Sequence, residues 1–183
     1  MDFDGKLPAR GGMNMLKYPD ELPGTVLKAA KIALETGNVN YILIWVPENS
    51  ENTVKNLLEK TCCIRSSKTH LSQLAYDWYF EMVNRFYQSR KSPDYDTNQF
   101  QSSAGKLFLK IDNAIESGNF EEIRDMIPVS HEADAQQRFL QVMNLRDYSV
   151  NNITAGRAYV SAFFDFNRYL HNLSSGVISR KDQ

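Results

Sequence analysis

No run of eighteen apolar residues interrupts this 183-residue chain, so the sequence offers no transmembrane helix. Cysteine is almost missing: Cys62 and Cys63 are the two present, and they are neighbours. Adjacent cysteines cannot staple distant segments, which excludes a disulfide framework. They read as two small apolar residues near a helix end. A redox or metal role would need further ligands nearby, and the sequence has no second Cys pair. Neither sign of charge dominates, with 21 Lys+Arg against 22 Asp+Glu. The basic residues are scattered and form no stripe that would follow a phosphate backbone, so no nucleic-acid or membrane partner is expected. The first twenty residues lack the unbroken apolar stretch of a signal peptide. The chain reads as soluble and cytoplasmic, or as the trimmed form of an exported protein.

Signatures of chemistry are also missing. The three histidines, His70, His131 and His171, stand at no metal-ligand spacing from one another. No His-Glu-x-x-His, Cys-x-x-Cys or Glu-x-x-His pair occurs. His70 and His131 read as solvated first-turn residues, and His171 as a surface residue of the last helix. Gly11-Gly12 is not followed by the Lys-Ser/Thr of a P-loop, and no G-x-S-x-G elbow appears. Asn152-Ile153-Thr154 and Asn172-Leu173-Ser174 match the glycosylation sequon, which matters only in a eukaryotic secretory setting. The reading therefore carries no catalytic residue, no cofactor and no metal.

What the chain does have is aromatic residues and a repeat. Ten Phe, nine Tyr and two Trp argue for a packed core and against disorder. Residues 33–47 read ALETGNVNYILIWVP, and residues 114–128 read AIESGNFEEIRDMIP. Ala33, Glu35, Gly37, Asn38, Ile42 and Pro47 recur as Ala114, Glu116, Gly118, Asn119, Ile123 and Pro128. The shared residues are helix punctuation. Gly37 follows a helical apolar pattern (Val26, Leu27, Ala30, Ala33, Leu34), where a left-handed C′ residue is needed. Asn38 can cap the next helix, and Pro47 ends it. YILIWV alone resembles a strand. The second copy decides for helix, because Phe120, Ile123, Met126 and Ile127 recur at helical spacing with charges opposite.

The match continues through the third helix, with Leu58, Cys62, Ile64 and Arg65 against Phe139, Met143, Leu145 and Arg146. It resumes where AYDWYFEMVNRF (75–86) aligns with AYVSAFFDFNRY (158–169). On the first of these, Leu71, Leu74, Ala75, Trp78, Met82, Val83 and Phe86 read as one broad apolar face. Trp78, Phe80, Phe163 and Phe164 are expected to be largely buried. The fold class is all-α: two tandem pseudo-symmetric four-helix units forming one helical bundle domain. The boundaries are an irregular arm at 1–20, a first unit at 21–90, a linker at 91–103, a second unit at 104–173 and a tail at 174–183. Helices are predicted near 23–36, 39–46, 50–64, 69–90, 104–117, 119–127, 131–146 and 151–173.

Three stretches, KAAKIALETGNVNYILIWV, YFEMVNRFY and LRDYSVNNITAGRAYVSAFFDF, resemble an uncharacterised family of small bacterial and archaeal proteins, a domain of unknown function. The resemblance spans about residues 18–173. It implies a helical fold and supplies no activity. Many members of that family look exported, with a His-Cys-Asp run before the first helix and a His in the fourth. The corresponding positions here are Tyr18-Pro19-Asp20 and Tyr87, so the resemblance implies that any metal ligands at those places have been lost.

The candidate ligand pocket is the polar stripe repeated on the fourth helices: Tyr76, Asn84 and Arg85, then Tyr159, Asn167 and Arg168. Tyr and Asn eight residues apart share a helix face. They could wall a pocket, or bond locally to caps and loops. The repeated Glu35 and Glu116 could form an acid pair, or serve helix ends. Gly156 lies within a helical pattern and reads as a site of close helix packing. The function expected is a non-enzymatic helical binding or interaction module. The rival is a small-molecule-binding protein or small enzyme using the stripes. At positions where the second copy has Glu122, Arg124 and Asp125, the first has Tyr41, Leu43 and Ile44. That apolar face needs a cover. The candidates are the neighbouring unit, the arm with its Phe3, Leu7, Met13, Met15 and Leu16, or a second copy in a homodimer.

Overall fold

Gly37 and Gly118 have φ of 72° and 73°, the left-handed conformation that a Cβ disfavours. Each closes a helix, and the rest of the fold follows from these two stops. The computed structural model describes residues 24–65, 70–90 and 103–174; the predicted arm, linker interior and tail lie outside them. In the first half, α1 (Gly24–Thr36) is followed by α2 (Asn40–Leu43), a 3-10 turn at Glu48–Ser50, α3 (Glu51–Arg65) and α4 (His70–Arg90). The second half runs in the same order: α5 (Ser103–Ser117), α6 (Glu121–Arg124), a 3-10 turn at Val129–His131, α7 (Glu132–Leu145) and α8 (Ile153–Ser174). Among the described residues there is no strand, and the protein is an all-α bundle.

The stop-and-restart chemistry is the same at both glycines. Asn38 Oδ1 accepts from Asn40 N at 3.0 Å, and Asn119 Oδ1 accepts from Glu121 N at 3.2 Å. These are Asx turns: each Asn stands one residue ahead of the observed N-cap, Val39 or Phe120, rather than capping the helix itself as the sequence suggested. The helices they start are shorter than predicted, four residues each. After Leu43 the backbone tightens, with Trp45 N donating to Ile42 O at 3.0 Å, and after Arg124 Met126 N donates to Ile123 O at 3.1 Å. Pro47 and Pro128 then take extended ψ of 150° and 141°. Alanine at Gly37 should lower stability by about 1 kcal/mol, since nothing lies within 4 Å of a Cβ there and only backbone strain acts. Gly118→Ala should cost somewhat more, because its Cβ would meet Met143 Cε at 3.2 Å. Urea unfolding midpoints measure both, and an unchanged midpoint for Gly37→Ala would sink this account.

One core runs through both halves. It joins Val26, Ala30 and Ala33 of α1 to Ile111 and Ala114 of α5, and to Val160, Phe163 and Phe166 of α8. Polar clasps flank it. Arg157, on α8, reaches Glu48 at 2.8 Å and Glu51 at 2.6 Å. Asn40 donates to Asn151 at 3.1 Å. Asn152 caps α8, accepting from Ala155 N at 3.0 Å.

The apolar face of the first short helix is covered from within the chain. Leu43 and Ile44 are buried, and Ile44 lies against Gly156 of the second half, so closely that a Cβ on Gly156 would clash. The two are therefore not a free surface on which a second copy could dock.

The fourth helix needs a correction. Phe80 and Phe163 are buried as expected, but Trp78 is 52% exposed and Phe164 half-buried. The stripe that α4 buries is Ala75, Tyr79, Val83 and Tyr87. Leu71, Leu74 and Trp78 form the adjacent stripe and face out. Two neighbouring stripes were both apolar, and only one meets the core.

Candidate functional site

The two halves do not close completely. Between α1 and the turn after α2 on one side, and α5 and α8 on the other, lies a cleft of about 320 Å³, within the range of small-ligand sites. Its walls are aromatic: Tyr41 and Trp45 from the first half, Tyr148 and Tyr159 from the second. Trp45 stands edge-on to Tyr159, with centroids 6.2 Å apart at 89°, and edge-on to Phe163 at 5.6 Å. Tyr148 leans on Tyr159 at 5.6 Å. Such offset and edge contacts are favourable for rings and fix their orientation.

The polar lining comes from α1, α5 and the end of α7. Lys28 pairs with Glu116 at 2.6 Å across the halves, which raises the lysine pKa through that bond. Arg146 Nη1 donates to Ile115 O at 3.0 Å and to Glu116 O at 3.4 Å. A guanidinium there satisfies carbonyls at the end of α5 and opposes the negative end of its dipole. Beside the cleft, Asp112 is buried and takes Thr25 Oγ1 on one oxygen and Thr25 N, at 3.2 Å, on the other. Burial raises its pKa above the usual carboxylate value, and the Thr25 bonds oppose that shift only in part. Burial also pushes the Tyr148 and Tyr159 hydroxyls up, so both stay protonated near neutral pH.

Of the six residues expected to form the pocket, Tyr159 lines this cleft and the other five do not. Tyr76 is half-buried on α4. Asn84 is buried and accepts from Gln88 at 3.0 Å. Asn167 is buried and donates to Phe163 O of its own helix at 2.8 Å. Arg85 and Arg168 are exposed and pair with Glu81 and Asp165 on their own helices. Glu35 is exposed and Glu116 is joined to Lys28, so the repeated glutamates serve different ends. His131 is half-buried beside Tyr169, 3.5 Å from its hydroxyl, rather than solvated. Cys63 is exposed, while Cys62 is half-buried near Leu34 O. Among the described residues no group of three His, Cys, Asp or Glu side chains is set to hold a metal ion, and no helix is long and apolar enough to cross a membrane.

Sequence reasoning passed over Trp45, Tyr148, Lys28 and Thr25. Trp45 read as one more apolar residue of a short helix. Tyr148 follows α7, outside every repeated helix.

A family model described as "Family of unknown function (DUF6448)" matches residues 23–169. The chain belongs to that family. No curated protein and no solved structure matches it. Every residue that lines the cleft, from Thr25 to Tyr159, falls within the span this DUF6448 member shares with its family model.

Proposed function

We propose that this protein is a non-enzymatic ligand-binding module and that the cleft between its halves is the binding site. One observation carries the reading: four aromatic side chains, two from each half, converge on an open cleft of about 320 Å³. Concave, mostly apolar sites with a few fixed polar groups are the usual form of small-molecule sites. Binding is favoured over catalysis because the ionisable groups are engaged in structural contacts, two of them between the halves and one within the second. Lys28 is tied to Glu116, Arg146 to the end of α5, and Asp112 to Thr25. A general base works best unencumbered within reach of substrate, and each of these carboxylates already takes a bond from the first half. The partner is then a small molecule rather than nucleic acid, and the protein works in solution. The stripes of the fourth helices serve this reading through Tyr159 alone.

A fragment screen by ligand-observed NMR tests it. Hits should disappear with Ala29→Trp, which fills the cleft from a half-buried position on α1, while the unfolding midpoint stays near that of the wild type. Hits that survive Ala29→Trp unchanged would remove the cleft as the site.

A further inference from the structure

The charges in and beside the cleft cancel. Lys28 and Arg146 line it with two positive charges, Glu116 lines it with one negative charge, and Asp112, bonded to the lining residue Thr25, adds a second. Each of the four already has a partner in the protein. Lys28 meets Glu116 at 2.6 Å. Arg146 gives Nη1 to the carbonyls that end α5, and its Nε has Asp147 at 3.9 Å. Asp147 itself is 92% exposed and stands in solvent. Asp112 takes Thr25 on both oxygens. Among the described residues, an ion entering the cleft would therefore give up hydration and find no unpaired counter-charge. A charged ligand must displace one of these contacts, and an uncharged one need not.

The walls set the shape. Beside the four rings, Ile32 of α1 and Ile115 of α5 add aliphatic surface. Rings gain from offset or edge-on contact with other rings beyond the area they bury, a gain that a saturated ring does not share. The volume sets the size. At about 320 Å³ the cleft stands at the small end of ligand sites, which suits one ring or two fused rings.

We propose that the cleft binds a small, flat, uncharged aromatic molecule, held by ring and aliphatic contacts while the ion pair of the cleft stays closed. The proposal rests on the ligand-binding reading above and adds the charge and shape of the ligand. A carboxylate would have to compete with Glu116 for Lys28. A quaternary ammonium would suit aromatic walls alone, but it would have to compete with Lys28 for Glu116.

Full-length protein labelled at its isoleucine methyls reports on the cleft through Ile32 and Ile115, which Ile32→Val and Ile115→Val assign. Ile64, on α3 and outside the cleft, is the control. Three probes share one ring system and differ in charge: 2-naphthamide, 2-naphthoate and 2-naphthylmethylammonium. A fourth, decahydro-2-naphthamide, keeps the amide on saturated rings. Naphthamide should move the Ile32 and Ile115 methyls saturably, leave Ile64 in place, and bind about tenfold more tightly than either ion. Its saturated counterpart should bind about three- to tenfold more weakly. Glu116→Gln opens an exposed ion pair of the kind that contributes little to stability. It leaves Lys28 without its carboxylate, so it should strengthen naphthoate by about threefold or more and leave naphthamide unchanged. If either ion binds wild type as tightly as naphthamide, or Glu116→Gln leaves naphthoate unchanged, the uncharged assignment is overturned while the cleft stands as a binding site. If the saturated amide binds equally well, the flat-ring assignment is overturned on the same terms. If none of the four moves the two methyls at millimolar concentration, the whole assignment is overturned, and the fragment screen then decides separately whether the cleft binds anything else.

Discussion

Truncation of Phe163 to alanine should destabilise the protein by about 3–5 kcal/mol, the range for a large ring removed from an enclosed site. The side chain is fully buried. It touches rings from three other places: Trp45 at 5.6 Å, Phe108 at 5.8 Å and Tyr159 at 6.3 Å. Those rings belong to the first half, to α5 and to α8 itself, so Phe163 joins the halves next to Trp45 and Tyr159, two of the rings that line the cleft. Its removal leaves a void that three stiff aromatic walls cannot easily close, which puts the cost near the upper end of the range. Phe164, the next residue, is half-buried and should cost clearly less when truncated. Chemical denaturation of the two variants side by side checks this. A loss below about 1 kcal/mol for Phe163→Ala would take it out of the core. The same variant should also loosen Trp45, so its indole resonance should broaden or move even where the protein stays folded.

The all-α architecture was legible because its signals are local. Gly37, Asn38 and Pro47 each act on the backbone beside them, and the second copy removed the strand reading of YILIWV. The same locality explains what was missed. Helical periodicity marks a residue as apolar-faced, but it cannot tell which of two adjacent apolar stripes meets the core. Trp45 and Trp78 both looked like core residues; Trp45 is enclosed and Trp78 stands half in solvent. The cleft was illegible for a further reason. Its lining is brought together by contacts between residues far apart in sequence, such as Lys28 with Glu116 and Trp45 with Tyr159. The repeated Tyr, Asn and Arg stripes suggested a shared pocket because repetition draws the eye. In the fold, Arg85 and Arg168 simply pair along their own helices, as an exposed i,i+3 or i,i+4 pair does. Only the comparison of the two copies, position by position, pointed beyond local structure. It marked Tyr41, Leu43 and Ile44 as a face that something had to cover, whether the neighbouring unit, the arm or a second copy.

Gly156→Val should be the most damaging single substitution at the contact that covers this face, with a loss of about 3 kcal/mol. A Cβ at Gly156 would lie 2.6 Å from Ile44 Cγ2 and 3.0 Å from Tyr148 Cε2. Ile44 is buried and stiff at its branch point, so it cannot swing clear. Alanine alone brings an opposing gain, since replacing a mid-helix glycine stabilises by about 0.5–1 kcal/mol. The net effect of Gly156→Ala should therefore be a smaller loss, about 1–2 kcal/mol. The sequence copies explain why the glycine stands where it does. By the alignment of the fourth helices, the position equivalent to Gly156 is Gln73, and the position equivalent to Ile44 is Asp125. A large side chain in one copy and a missing side chain in the other thus occur as a matched pair, where the short helix of the first half presses on α8. Removing the pressure should rescue the variant: Gly156→Ala combined with Ile44→Ala should be more stable than the sum of the two single losses, a coupling expected between residues in contact. Strict additivity in that double-mutant cycle, or a Gly156→Ala protein at least as stable as the wild type, would mean that the close approach does not constrain the fold and that Ile44 has room to move. Because Tyr148 meets the same Cβ, Gly156→Ala should also shift the cleft wall and weaken any ligand held there, even under conditions where the protein remains fully folded.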